Sequence, residues 1–149
     1  MKRFASIAAS LFLVACASTG THSAKPPAKA APDALYHTLG EQEGIGRLVD
    51  AALKRIHGDL RISIFFEKTD LPDLRRLFIE QICAASGGPC TYSGRSMEEA
   101  HSGMNLTDAD FSAFVEDLIT AMNDVKIDAA TQKTILGVFG PMKPQIVGQ

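Results

Sequence analysis

The stretch TDADFSAFVEDLITAMNDV, residues 107–125, decides the fold class. Phe111, Phe114, Val115, Leu118, Ile119, Met122 and Val125 recur every three or four residues, which places them on one face of a helix. Thr107 with Asp110 three residues on opens that helix as a capping box, each side chain satisfying a free backbone amide beside the other. Downstream, Asp128 is placed to cap a last helix carried by Ile135, Val138, Phe139, Met142 and Ile146. Pro141 lacks an amide donor there and should kink the helix or loosen its final turns. Upstream, Ile45, Leu48, Val49, Ala52, Leu53 and Ile56 form one helical stripe. Leu71, Leu74, Leu77, Phe78 and Ile82 form another, and both read as core. Apolar spacing is helical throughout residues 35–147, so one all-α domain is expected.

Between the second and third stripes, Gly87, Gly88 and Pro89 stop a helix, and a loop runs to about Gly94. Ser96 with Glu99 then gives a second capping box, and Gly103 is placed as a C-terminal cap. That leaves roughly two turns, too few for a helix to exist on its own account. They contain His101, whose neighbours Met97 and Ala100 suit an apolar cleft. A neutral imidazole is a suitable axial ligand for haem iron, although a single histidine on a short helix is more often a surface residue. Glu98 and His101 together are too few ligands for a zinc site.

The 149 residues carry 15 Lys plus Arg against 17 Asp plus Glu, a formal charge of -2, and this balance offers no general field to hold a polyanion. No nucleic-acid partner is expected. Lys2 and Arg3 precede an apolar run from Phe4 to Ala15, which reads as an export signal over residues 1–15. A run of twelve residues is too short to cross a hydrocarbon core of roughly 30 Å. Leu13, Val14, Ala15 and Cys16 resemble the lipobox of bacterial lipoproteins, which implies cleavage before Cys16, acylation of its thiol and membrane attachment through the lipid. Ala17 and Ser18 lack the aspartate associated with inner-membrane retention, so a periplasm-facing outer-membrane lipoprotein is expected. Residues 16–34, with Pro26, Pro27 and Pro32 and almost nothing to bury, read as a tether reaching roughly 25 Å as a coil and about 55 Å when extended.

Leu35-Tyr36 with Gly40, the pair Phe65-Phe66, Gly87-Gly88-Pro89, Tyr92-Ser93-Gly94 and Met97-Glu98-Glu99-Ala100-His101 occur in an order and spacing that resemble a group 1 truncated haemoglobin. Gly103, Leu106-Thr107, Phe111 and Val138 to Pro141 also fit, so the resemblance covers nearly all of residues 35–147. It implies a two-over-two helical sandwich around haem b, with His101 as the proximal iron ligand. Phe66 matches the phenylalanine that packs on the porphyrin, and Phe65, Leu74, Phe78, Met97, Phe111 and Phe139 fall where that family lines its haem cleft.

The distal positions depart from the family. Leu53 stands at the usual tyrosine position, Phe78 where many members carry glutamine, and Leu74 and Leu77 add no donor. Gln81, one turn on, is a weak candidate for a distal amide. The resemblance therefore implies a protein that binds a diatomic gas reversibly with weak retention of oxygen and relatively good binding of carbon monoxide and nitric oxide. Two alternatives stand beside gas binding or sensing. One is nitric oxide dioxygenation, which needs retained oxygen and a reductase partner, and the other is a haem-free adaptor that keeps the fold for protein contacts.

Cys83 and Cys90 remain once Cys16 is assigned to lipid, and in the periplasm they could form a disulfide or stay two unrelated thiols. His37 and His57 fall on polar helix faces and are expected to be solvated. No Ser-His-Asp set, phosphate-binding glycine loop or CxxC motif is present.

Overall fold

The computed structural model describes residues 31–149, so the expected export signal, Cys16 and most of the tether lie outside the described residues. Six α-helices follow one another: α1 (Ala34–Thr38), α2 (Glu41–Gly58), α3 (Leu71–Ala85), α4 (Met97–His101), α5 (Asp108–Asp124) and α6 (Ala129–Phe139). A 3-10 turn, Ser63–Phe66, separates α2 from α3, and a second 3-10 segment, Gly140–Gln145, continues α6. There is no strand among the described residues, and none of their helices is long and apolar enough to cross a membrane.

Helices α3, α5 and α6 each start where the sequence supplies a side-chain acceptor, whereas α2 follows Gly40 without one. The Asp70 carboxylate accepts from the Asp73 amide at α3, and Thr107 and Asp110 close a reciprocal capping box at α5. Asp128 accepts from both Ala130 and Thr131 at α6. Helix α3 ends in a Schellman arrangement: Gly87 takes φ +84°, its amide donates to Ala84 O at 3.2 Å, and the Gly88 amide donates to Cys83 O at 2.8 Å. Gly88 must also stay bare, because a Cβ there would lie 2.5 Å from the Tyr36 ring and 2.7 Å from Cys83 Sγ. Helix α6 loses its α-helical pattern at Phe139, two residues before Pro141, where the ring removes a donor.

The core sits where α2 packs against both α3 and α5, with α6 closing over α5. Ile45, Leu48, Val49 and Ala52 of α2 meet Leu118, Ala121 and Met122 of α5 and Ile135 of α6, all at 2% exposure or less. A smaller cluster of Ile56, Ile62 and Ala113 anchors the 3-10 turn, and Phe65, Phe66 and Phe114 rest on it. The second apolar stripe divides. Phe78 and Ile82 are buried, whereas Leu71 is exposed and Leu74 and Leu77 are only partly covered, so the expectation that the whole stripe is core is corrected. The reason is that α3 has a partner on one flank and a cleft on the other.

Cys83 and Cys90 are joined by a disulfide that ties the end of α3 to the loop leading toward α4. Closing so short a loop restricts the unfolded chain by about 2.5 kcal/mol at 25 °C. Replacing both cysteines by alanine should therefore lower unfolding free energy by about that amount in a denaturant titration, with no change of helix content.

Asp117 on α5 keeps one carboxylate oxygen buried without a hydrogen-bond partner among the described residues. Burial pushes its carboxyl above the ordinary aspartate range, nearby Asp59 adds to this, and Arg61 and Arg55 oppose it. A group whose folded pKa is raised stabilises the fold only below that pKa, so at pH 7 the charged Asp117 is a net cost. Asp117→Asn should raise the melting temperature at pH 7, and the gain should shrink as pH falls from the raised folded pKa to the ordinary aspartate value. An equal gain at every pH would show that charge is not the cause.

Candidate haem cleft

An apolar cleft of about 510 Å³ lies between α3 and α4, within the range of about 300–1,000 Å³ usual for small-molecule and cofactor sites. One wall is made by Leu53 of α2, Leu74, Leu77 and Phe78 of α3, and Phe65 and Phe66 of the 3-10 turn. The opposite wall carries Met97, Ala100 and His101 of α4, and Phe111 and Phe114 of α5 close one end with Phe139 of α6. Every cofactor and distal-pocket residue expected from sequence thus lines one cavity. Most are only half-buried, because they face the open cleft and not another helix.

The α4 wall is built by local hydrogen bonding. Ser96 accepts from the Glu99 amide while the Glu99 carboxylate accepts from the Ser96 amide, which starts the helix at Met97. It lasts only five residues, shorter than the two turns expected, before Ser102 leaves helical geometry and Gly103 takes φ +78°. The His101 Nδ1 lies 2.7 Å from the Met97 carbonyl oxygen. A carbonyl can only accept, so Nδ1 carries the proton and Nε2 keeps its lone pair. That nitrogen is the one that a metal in the cleft would meet.

The donor set can be tested against haem. No group of three or more His, Cys, Asp or Glu side chains among the described residues could hold a bare metal ion, so one imidazole suits a metal whose other ligands come from a macrocycle. The walls are mostly apolar, as a porphyrin face requires. Of the charged residues that line the cavity, Asp70 and Asp110 are engaged in helix caps and Asp73 with Arg76, whereas the two cations Lys68 and Arg95 are exposed and have no carboxylate partner among the described residues. They match the charge of haem propionates. The residues present therefore fit the group.

Several rim and wall residues were not among the cleft residues expected from sequence. Lys68 and Arg95 belong to loops, and Tyr92 reaches the cleft while its hydroxyl donates to Arg95 O at 2.9 Å. Met104 and Leu106 line the cavity from the loop after α4, and Met142 and Ile146, which the last apolar stripe placed on one helix with Phe139, line it from beyond the end of α6. Gln81 lines it as well, but its amide nitrogen lies 3.3 Å from Met97 Sδ and 3.6 Å from Met142 Sδ. It thus reaches toward α4 and the second 3-10 segment. His57 is exposed, bonds Leu53 O at 2.8 Å and rests beside the Phe66 ring, and His37 is exposed between Asp33 and Glu41.

Residues 34–147 match the family model of the bacterial-like globins. The chain belongs to that family. Among its relatives, a group 1 truncated haemoglobin, GlbN, of Mycolicibacterium paratuberculosis is 30% identical over 118 residues, spanning 79% of this chain and 87% of the relative. That of a Nostoc species is 31% identical over 115 residues, spanning 77% and 98%. The crystal structure of the truncated haemoglobin of Tetrahymena pyriformis in its Fe(III) form superposes with a TM-score of 0.74 at 27% identity, covering 77% of this globin and 98% of that chain. The two-over-two haemoglobin of a Synechococcus species shares the fold with a TM-score of 0.72 at 23% identity, covering 77% and 98%. The all-helical globin fold read from the motif order is therefore the fold of this chain.

Proposed function

We propose that this globin holds haem b in the cleft between α3 and α4, with His101 Nε2 as the proximal ligand, and binds a diatomic gas on the side walled by Leu53, Leu74, Leu77 and Phe78. The observation that carries this reading is the Met97 carbonyl 2.7 Å from His101 Nδ1, which leaves Nε2 as the free ligand nitrogen on an apolar cavity. Ferrous haem, when bound, offers one open coordination position to oxygen, carbon monoxide or nitric oxide. The Met97 carbonyl fixes the tautomer of His101 and strengthens its basicity, a role that outer partners of metal-bound histidines generally play. Phe65, Phe66, Phe111 and Phe139 exclude water, and Lys68 and Arg95 would meet the propionates.

The distal wall sets the selectivity. Leu53, Leu74, Leu77 and Phe78 have no side-chain donor, so a gas that becomes polarised gains nothing there over one that does not. A hydrogen bond to a charged group contributes about 1.5–3 kcal/mol, or about 10-fold to 150-fold in affinity. Oxygen should leave quickly, and carbon monoxide and nitric oxide should be held comparatively well. This favours reversible gas binding or sensing over nitric oxide dioxygenation, which requires oxygen to be retained until nitric oxide arrives and a reductase partner to restore the iron.

The placement of the domain rests on residues 1–34. Cys16 after Leu13-Val14-Ala15 supports acylation, and the Pro-containing segment beyond it supports a periplasmic domain held a short distance from the outer membrane. Mass spectrometry of the exported protein, with and without Cys16→Ser, tests this.

Two experiments test the site. The haem-loaded chain should show a Soret band that shifts with carbon monoxide, and His101→Ala should lose or alter it, with partial recovery on adding imidazole. An unaltered spectrum in the variant would remove His101 from the iron. Leu53→Tyr should slow oxygen release by about 10-fold to 150-fold in stopped-flow measurements, with a smaller effect on carbon monoxide. An oxygen release rate that Leu53→Tyr leaves unchanged would show that the leucine does not face the gas.

A further inference from the structure

Gln81 sits on α3, yet its carboxamide is engaged by the other side of the cleft. Its Nε2 lies 3.3 Å from Met97 Sδ on α4 and 3.6 Å from Met142 Sδ on the second 3-10 segment. A thioether has no hydrogen to give and can only accept, so the NH2 end of the amide must face the two sulphurs, one hydrogen to each. Among the described residues this is the one side-chain hydrogen bond that joins α3 to α4. Met97 is also the residue whose carbonyl accepts from His101 Nδ1. The first residue of a five-residue helix is thus gripped at its side chain by Gln81 and carries at its backbone the acceptor that orients the histidine.

We propose that Gln81 is a positioning residue for His101, acting through Met97: its amide fixes where α4 begins and hence the strength and direction of the His101 Nδ1–H bond to the Met97 carbonyl. This rests on the reading of His101 as the proximal ligand. It also reassigns Gln81 from the distal gas pocket to the support of the histidine. A helix of this length gains little from its own hydrogen bonds, so a single bond from a long helix is a large share of what holds it.

The test has two arms, each on Gln81→Leu, Gln81→Glu, Met97→Leu and the Gln81→Leu/Met97→Leu pair. Gln81→Glu keeps the shape at pH 8 but cannot donate to sulphur, and Met97→Leu keeps the volume but cannot accept. In the haem-free chain with nitrogen-15 histidine, NMR reads the His101 tautomer and the exchange rate of its Nδ1 proton. Each single variant should speed that exchange by about twofold to tenfold, the worth of one ordinary hydrogen bond, and the pair should be no worse than either. In the haem-loaded chain, the same variants should shift the iron–histidine stretching frequency and raise the haem-loss rate by a similar factor.

Unchanged proton exchange and stretching frequency in folded Gln81→Glu, or effects that simply add in the double variant, would overturn the proposal and leave Gln81 as packing. Failure of the ligand reading itself would look different. His101→Ala would keep the unaltered Soret band, while the haem-free arm would still report whether Gln81 governs the imidazole.

Discussion

A five-residue helix cannot hold itself in place, and the histidine that faces the cleft is carried by one. Nucleating a helical turn fixes several dihedral angles for each hydrogen bond gained, so α4 takes its position from what surrounds it. The chain supplies that support on both sides. On the approach, the Cys83–Cys90 disulfide fastens the loop to α3, and the Glu80 carboxylate accepts from both the amide and the hydroxyl of Ser93 at 3.0 and 2.7 Å. Those two bonds, with Arg76 beside them, hold the Glu80 carboxyl below the usual range, so it stays an anion across the physiological span. On the exit, the Gly148 amide donates to Leu106 O and the Asn105 amide to Gln149 O, so the C-terminal segment brackets the loop that leaves α4.

This division of labour explains why the two sides of the cleft look so different. The α2 and α3 wall is a face of long, well-packed helices and is mostly apolar, with Asp73 and Gln81 of α3 its polar members. The α4 wall is assembled from capping boxes, loop carbonyls and a covalent link, because hydrogen bonds and the disulfide must replace the packing that a short helix lacks. The rim cations fall between these regimes, on exposed loop positions where a charge costs little.

The parts that could be read from sequence are those whose physics is local. Ser96 with Glu99, Thr107 with Asp110, and Asp128 cap helices that begin where the pattern says, since a cap involves residues three apart. The α2 and α5 stripes identify the core because both helices are buried along most of one face. Leu74 and Leu77 misled the core assignment because an apolar face reads alike whether it meets another helix or a cleft. His101 and the two phenylalanines of the 3-10 turn were found by motif order, which no single spacing would have singled out. The cleft-lining places of Lys68, Arg95 and Tyr92 and the Gln81–Met97–Met142 contact were beyond reach, because each depends on which segments meet across the cleft.

On the haem reading, an apolar distal wall also moves the burden of selectivity. Where a distal donor exists, the gas is sorted mainly by the hydrogen bond that it accepts. Here Leu53, Leu74, Leu77 and Phe78 give every gas nearly the same surroundings, so differences must come from how strongly the iron binds each one. On that reading the chain would control it through the opposite face, by the orientation of His101, whose Nδ1 lies 2.7 Å from Met97 O. The imidazole is held by a carbonyl whose own helix is anchored by Gln81, by the Ser96–Glu99 box and by a disulfide-pinned loop. A stiff proximal side is thus the physical complement of a featureless distal one.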